Sequence, residues 1–350
     1  MEPDHTEPPT PIVILNWNGL SDTIECIDSL ASQTCRDFVV HLIDNGSDGD
    51  DFLELQERYG KDPKISLFAN PQNLGFSGGV NRALQNILAD SPRPRWVVLL
   101  NNDTVPDPRW LEMLLDAAEP GRSIVGSCMV NYYNAGELDN AGHCWLDSGE
   151  IIPRGTSENP ADYQDPVELI GVCAGAMLIA TELLEELGLF DAFFETGYED
   201  AEFGLRAFLA GYPSFYEPRA LVRHKISRSV DKVRSREYAM RIQLNINFTY
   251  LKLVPLPVAL CNAPFVVTKT LGVLLVSSLF GRWALTGAHL RALSETWKAR
   301  ARIRSSREAF ASMRRVSAWQ ILGSQKFFLP RYVSYFRRYI LTGRKTVFER

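Results

Sequence analysis

The chain predicts an α/β fold, a doubly wound and mostly parallel sheet with a helical carboxyl-terminal extension. Three patterns predict it. Short apolar runs alternate with amphipathic stretches from Ile12 to about Val130, polar Asn, Asp and Gly residues gather at the ends of several runs, and beyond Tyr238 the composition turns apolar and then basic. The runs Ile12 to Leu15, Phe38 to Ile43, Ile65 to Phe68, Trp96 to Leu100 and Ile124 to Val130 are continuous in hydrophobicity, as strands covered on both faces are. Between them, Ser21 to Ser32 puts Ile24, Ile27 and Leu30 on one helical face, with Ser21 or Asp22 as cap. Further helices are expected over Phe52 to Tyr59, Gly79 to Leu88, Trp110 to Ala118 and Thr181 to Leu187. Such a βαβα order binds its ligands outside the carboxyl ends of the strands.

With 350 residues, 45% hydrophobic and 23% charged, the chain is globular. Its six cysteines form no Cys-x-x-Cys pair and no cluster, which points away from a zinc site or disulfide framework and towards a reducing cytoplasm. Residues 1–10 are acidic and proline-rich, lack the stretches of a secretion signal and read as a disordered tail. The net charge of −5 conceals an asymmetry: residues 291–350 hold 15 Lys or Arg against 3 Asp or Glu, leaving −17 on the rest. That balance argues against nucleic acid as a partner. The basic tail suits an anionic phospholipid surface or a phosphorylated substrate, or is simply a solvated helical surface. Before it, Leu253 to Val267 and Leu271 to Phe280 are apolar runs separated by Thr268-Lys269-Thr270 and interrupted by Pro255, Pro257 and Pro264. Neither alone reaches the ~20 residues of a bilayer crossing, although joined they suffice for a kinked one.

Three strand ends run into Asn16-Trp17-Asn18-Gly19, Asp44-Asn45-Gly46-Ser47-Asp48 and Asn101-Asn102-Asp103. One would be an ordinary turn; three on one predicted edge suggest a site. Gly197 to Arg206 then places Glu199 and Asp200 before a short helix, read from Phe203, Leu205, Phe208 and Leu209 with Gly211 as its stop, at the helix's exposed amino end. A carboxylate there can be aimed at a hydroxyl as a general base, or can merely complement the helix dipole.

Taken in order, the Asn-containing first strand end, the Asp-Asn-Gly-Ser loop, the segment Asn73-Leu74-Gly75-Phe76-Ser77-Gly78-Gly79-Val80-Asn81, the Asn-Asn-Asp end and the Tyr-Glu-Asp helix start resemble family 2 glycosyltransferases, specifically the rhamnosyltransferase-like branch, over about residues 11–250. The resemblance implies a GT-A fold with a nucleotide-binding half at 11–130, an acceptor and catalytic half at 131–250, a nucleotide-sugar donor (dTDP- or UDP-linked), Mg²⁺ or Mn²⁺, and transfer with inversion. It implies that Asn16 and Asn18 form the first nucleotide loop, that Asp44 contacts the base or ribose, and that Asn73, Gly75 and Asn81 lie beside the nucleotide. Asp44 as a turn cap, and Gly75, Gly78 and Gly79 as a helix entry rather than a close ligand approach, remain the alternatives. Asn101-Asn102-Asp103 stands where many relatives have Asp-x-Asp, which leaves Asp103 as the charged metal ligand beside Asn102, and His224 matches a histidine of the metal shell. Asp200 matches the catalytic base, with Glu199 holding the acceptor or serving as base itself. Gly171 to Ala176 matches a small-residue segment under the sugar, which close helix packing would explain equally; Arg206 and His143 are weaker candidates.

The acceptor implied is a saccharide or lipid-linked saccharide. The apolar stretch Leu253 to Phe280 with the basic segment behind it suggests that the 251–350 extension docks on the inner face of the cell membrane, the three prolines and Lys269 favouring a shallow or re-entrant arrangement over a straight crossing; packing as ordinary core helices is the alternative, and a homo-oligomer is left open. A sugar nucleotidyltransferase would carry a glycine-rich phosphate loop and lysine where this chain has Asn-Trp-Asn-Gly-Leu-Ser-Asp, and a dehydrogenase would carry Gly-x-Gly-x-x-Gly. A non-catalytic binding subunit has only the altered Asp-x-Asp in its favour.

Overall fold

The computed structural model describes residues 7–119, 121–225 and 236–335, so residues 1–6 of the expected tail and the last fifteen residues of the basic segment lie outside the described residues. The chain divides into two compact units, one formed by 1–143, 153–208 and 212–227, the other by 144–152, 209–211 and 228–350. The second unit thus begins earlier than the change of composition near 251 and takes in two segments from within the preceding sequence.

In the first unit, β1 (Thr10–Asn16), β2 (Phe38–Asp44), β3 (Ile65–Ala69) and β4 (Trp96–Leu100) are parallel, in the order β4-β1-β2-β3. The helices α1 (Leu20–Leu30), α2 (Asp51–Tyr59) and α3 (Gly75–Ala89) make the crossovers. On the other side of β4 the sheet continues through β11 (Ala176–Ala180), β6 (Ile124–Asn131), β12 (Ser214–His224) and β10 (Val167–Leu169). β5 (Thr104–Pro106) pairs with β12 and β7 (Leu138–Asn140) with β6; the ribbon of β8 (His143–Trp145) and β9 (Ile151–Pro153) is separate from this sheet and belongs, apart from its end residues His143 and Pro153, to the second unit. The remaining helices of the first unit are α4 (Trp110–Ala117), α5 (Thr181–Leu187) and α6 (Glu199–Leu209). Burial of Ile12, Ile14, Val98 and Leu100 against Ile27 and Leu30 of α1 and Trp110 of α4 fastens the helices to the sheet.

Three local expectations are corrected. The run Ile65 to Phe68 is not covered on both faces, because β3 is the edge of the sheet and Phe68 is 40% exposed. Neither Ser21 nor Asp22 caps α1; the N-cap is Gly19, and Asp22 is buried in an ion pair with Lys225 at 2.6 Å. α3 starts at Gly75 rather than Gly79. Gly75 takes φ +70, and its N–H donates to Asn73 Oδ1 at 2.8 Å, so a glycine-rich stretch that reads as loop is already helix.

β12 pairs in parallel with β6 through Phe215↔Val125 and again through His224↔Asn131, with a register shift between Glu217 and Leu221. Its far end also pairs antiparallel with β5, His224 opposite Thr104.

Apart from that ribbon the described residues of the second unit are mainly helical: α7 (Arg236–Leu253), α8 (Leu256–Leu279), α9 (Trp283–Lys298), α10 (Arg300–Ala311), α11 (Ala318–Ser324) and α12 (Leu329–Tyr335). The two apolar runs are one continuous helix. Pro255 is its N-cap and Pro257 lies in the first turn, where an absent N–H breaks nothing, so only Pro264 is interior. Among the described residues α8 is the one helix long and apolar enough to cross a membrane.

Candidate functional site

The parallel strands deliver their polar ends to one edge of the sheet. Asn16, fully buried at the end of β1, donates through Nδ2 to Asp44 Oδ1 at 2.8 Å and to Asp51 Oδ2 at 3.0 Å, and its Oδ1 accepts from Thr23 Oγ1 at 2.7 Å. Asp44 also accepts from the Ser47 hydroxyl at 2.6 Å and the Ser47 N–H at 3.1 Å, so its carboxylate does cap the turn after β2. Asn18, at φ +50, exchanges hydrogen bonds with Asp48. Asn102 Nδ2 donates to Thr23 Oγ1 at 2.9 Å and joins the third strand end to the first. Asn45 supplies a link not foreseen: it donates to Asn73 Oδ1 at 3.0 Å and Gly75 O at 3.1 Å while accepting from Asn70 at 2.9 Å.

The residues at 73–81 are fastened to the chain that leads into α6. A Cβ on Gly75 would lie 2.3 Å from the Glu195 carbonyl oxygen, and Phe76 N–H donates to that oxygen at 2.6 Å. Asn81 brackets Phe190, donating to its carbonyl at 2.7 Å and accepting from its N–H at 3.1 Å. A Cβ on Gly79 would lie 2.6 Å from Leu15 Cδ1, so that glycine serves the packing of α3 on β1.

Asp103 and His224 meet. The β5–β12 pairing sets His224 beside the Asn-Asn-Asp loop, with Nε2 3.2 Å from Asp103 Oδ1, while Nδ1 lies 2.8 Å from Asp139 Oδ2 on β7. Burial opposes a charge on His224, but the Asp103 carboxylate, then Asp139, outweighs it and pushes the imidazolium up to about 10. The next residue, Lys225, pairs with Asp22 and Glu25, both at 2.6 Å, and pins this strand end to α1. The 3.2 Å separation is close to the ~3 Å between adjacent ligands of an octahedral cation bound at roughly 2.1 Å. Asp139 holds the opposite ring nitrogen, as the outer partner of a ligating histidine does. A cation that displaces the Nε2 proton therefore fits the pair as Mg²⁺ or Mn²⁺ completed by oxygen ligands from elsewhere; among the described residues no three His, Cys, Asp or Glu side chains converge to hold a metal unaided.

Glu199 and Asp200 open α6 as expected, but they are not equivalent. Gly197 at φ +81 and Tyr198 at φ +77 turn the chain just before them, a conformation strained for a bulky residue. Glu199 is buried rather than exposed, a correction to the expected exposed pair; its Oε2 has no hydrogen-bond partner among the described residues, and burial, then the Asp200 charge, pushes its carboxyl up to about 8. Asp200 is half-buried, its oxygens accepting from Ala201 N–H at 2.7 Å and Ala174 N–H at 3.2 Å.

His143, fully enclosed, brings Nε2 to 3.7 Å from Asp200 Oδ2, and burial holds its imidazole below the ordinary value against the pull of that carboxylate. Burial, then the Asp200 charge, raises the thiol of Cys173 on the neighbouring segment. The segment Gly171 to Ala176 runs between Asp200, which accepts from Ala174 N–H, and the Asn-Asn-Asp loop, where Asn101 N–H donates to Gly175 O at 2.9 Å. Gly171 packs on α6, where a Cβ on Gly204 would lie 2.6 Å from its Cα, and Gly175 lies against Asn101. Arg206 takes no direct part: it is buried on Glu202 at 3.0 Å and donates to the carbonyls of Leu187 and Leu189.

A cavity of about 350 Å³ lined by Arg93, Arg95, Trp96, Glu119, Ser123 and Thr181 lies where β4 and β6 begin, at the other end of the strands from this polar constellation.

Residues 12–187 match the family model described as Glycosyl transferase family 2. The chain is 26% identical over 302 residues to an N-acetylglucosaminyl-diphospho-decaprenol L-rhamnosyltransferase of Mycobacterium tuberculosis, covering 81% of this chain and 96% of that protein. It is 28% identical over 127 residues to the bifunctional glycosyltransferase pgtA of Dictyostelium discoideum, covering 35% of this chain and only 16% of that much longer protein. Among solved structures, the mannosyltransferase PcManGT from Pyrobaculum calidifontis, in complex with GDP-Man and Mn²⁺, superposes with a TM-score of 0.54 at 16% identity, covering 98% of this chain and 86% of that one. The fold is the GT-A fold.

Proposed function

Because the chain belongs to glycosyl transferase family 2, we propose that it moves a sugar from a nucleotide-sugar to a saccharide or lipid-linked acceptor, with inversion, in the synthesis of a surface polysaccharide. The observation that carries this reading is the half-buried Asp200, aimed by the N–H of Ala201 on its own helix and by the N–H of Ala174 on the small-residue segment, whose Gly175 carbonyl accepts from Asn101 N–H in the loop that carries Asp103 beside His224.

In this reading Asp200 takes the proton from the acceptor hydroxyl while the hydroxyl oxygen bonds to the anomeric carbon from the face opposite the leaving group. The bond from that carbon to the diphosphate oxygen breaks and its electron pair leaves with the nucleoside diphosphate. Glu199, held protonated at neutral pH by burial, is unsuited to accept that proton and is left to position the acceptor or its neighbour. Asp103 and His224 are the residues that would hold Mg²⁺ or Mn²⁺, which when bound stabilises negative charge on the departing diphosphate. Asn16, Asn18, Asp44, Asn73, Gly75, Asn81 and Asn102 shape the donor loops, largely through the backbone and amide groups they hold in place. L-rhamnose is the donor sugar favoured by the mycobacterial relative's name, and dTDP is the carrier that the sequence resemblance implies. The exposed apolar residues of α8 and the basic residues that follow support a seat for the enzyme on the cytoplasmic face of a membrane.

The test is release of nucleoside diphosphate by the purified full chain from dTDP-, UDP- and GDP-sugars, with Mn²⁺ and lipid-linked acceptors. Acceptor-dependent release from one donor is the expected result. Binding of a nucleotide-sugar without release on any acceptor would replace the enzyme by a binding subunit.

A further inference from the structure

The helical unit carries a helix whose polarity is reversed. In α8 the buried positions are Val258, Asn262, Lys269 and Ser277, three of them polar, whereas Leu256, Leu260, Val267, Leu271, Leu275 and Leu279 are each more than half exposed. A helix facing water has the opposite arrangement. The inward Lys269, only 4% exposed, meets Glu150 at 3.3 Å, and that carboxylate also accepts from Tyr332 Oη at 2.7 Å and Ser148 Oγ at 3.1 Å. The charge in the middle of the apolar run is therefore turned away from the apolar face and neutralised.

We infer that α8 lies along a bilayer surface, its leucine face in the boundary between headgroups and acyl chains, and does not cross the membrane; this rests on the membrane placement proposed above. Two observations separate lying from crossing. The outer leucines run over the whole helix, roughly 35 Å at 1.5 Å per residue, and a crossing would carry the Lys269–Glu150–Tyr332 cluster to the bilayer centre. α9 packs beside α8 and exposes Arg291 midway along its length, which a crossing would also submerge. The occupant is lipid rather than a second copy because the surroundings are cationic: residues 281–335 hold 11 Lys or Arg against 2 Asp or Glu. Two copies meeting through this face would oppose like charges, whereas anionic headgroups complement them. Trp283, Trp297 and Trp319, all at least 66% exposed, are the side chains that settle at headgroup level, and Arg300 lies over the Trp297 ring at 4.9 Å.

The experiment uses the full chain with Cys261 replaced by Ser and a nitroxide attached in turn at Leu256→Cys, Val267→Cys and Leu279→Cys, on vesicles of phosphatidylcholine and phosphatidylglycerol. Depth is read from collision with oxygen against a water-soluble nickel chelate. Equal, shallow depths at the three positions, with binding weakened at least tenfold by Leu271→Asp with Leu275→Asp at an unchanged melting temperature, are expected. A label at 267 much deeper than at 256 and 279 would mean crossing and overturn the inference alone. Absence from floated vesicles would remove the membrane placement as well, and shielding of all three labels in a dimer without vesicles would assign the face to a second copy. None of these outcomes depends on sugar transfer.

Discussion

Replacing Glu199 by Gln removes a titration while keeping the volume of the side chain. In the folded protein the Glu199 carboxyl is held at about 8 against an ordinary 4.5, first by burial and then by the neighbouring Asp200 charge. Between those values the folded chain keeps a proton that the unfolded chain has given up. The stability supplied by the neutral carboxyl is therefore complete below about 4.5, falls as the pH rises through the window, and is gone above about 8. A displacement of that size bounds the effect at roughly 5 kcal/mol. Gln cannot ionise, so the variant should escape this part of the decline. Urea unfolding followed by tryptophan fluorescence at about pH 5, 7 and 9 measures it: the variant should gain at least about 2 kcal/mol on the wild type between the lowest and highest pH. Parallel pH profiles would show that Glu199 ionises freely in the folded chain and that the division of labour with Asp200 is wrong. The same variant should keep turnover at neutral pH within about tenfold, since the group it replaces is already neutral there.

Asp200→Asn should lower turnover at least ~10²-fold with donor affinity changed only a few-fold; near-normal turnover moves the base elsewhere. Asp139→Asn should weaken Mn²⁺ binding about 10–100-fold, read by magnetic resonance of the free ion in the absence of substrate, because His224 loses the charge that orients it; an unchanged affinity would leave Asp139 outside the metal shell. Gly75→Ala forces a methyl against the Glu195 carbonyl at a positive φ, with an expected loss of about 1–3 kcal/mol, visible as a lower melting temperature; an unaltered melt would mean that the contact yields without strain.

The parallel half was legible because burial on both faces leaves uninterrupted apolar runs, and β1, β2, β4 and β6 fall where those runs do. Helix starts were less legible, since glycine in Gly75 to Gly79 and serine in Ser21 signal loops or caps whichever way the surrounding structure uses them. The meeting of Asp103 with His224 followed from the order of the motifs. Asp139 was missed: it lies 85 residues from His224, and Leu138-Asp139-Asn140-Ala141-Gly142 reads locally as a turn. The burial of Glu199 had no local signal either, because adjacent acids at a helix start ordinarily face water and nothing in the sequence marks Tyr198 for a left-handed conformation. The reversed polarity of α8 was hidden by the prolines, whose effect depends on lying at a cap and first turn rather than inside.

The register shift in β12 makes chain length, not only side-chain identity, a condition for the chemistry at its end. Between Glu217 and Leu221 the strand advances against β6 by more residues on its own side than on its partner's. Because side chains alternate across a sheet, deleting one residue of that bulge would carry His224 to the opposite face, away from Asp103. An insertion would do the same. Point substitutions at exposed Arg219 should be tolerated where a single-residue indel beside it is not. Segment 154–158 is constrained as well, because it hydrogen-bonds Leu138 and Asp139 of β7, the strand that holds the other nitrogen of the histidine.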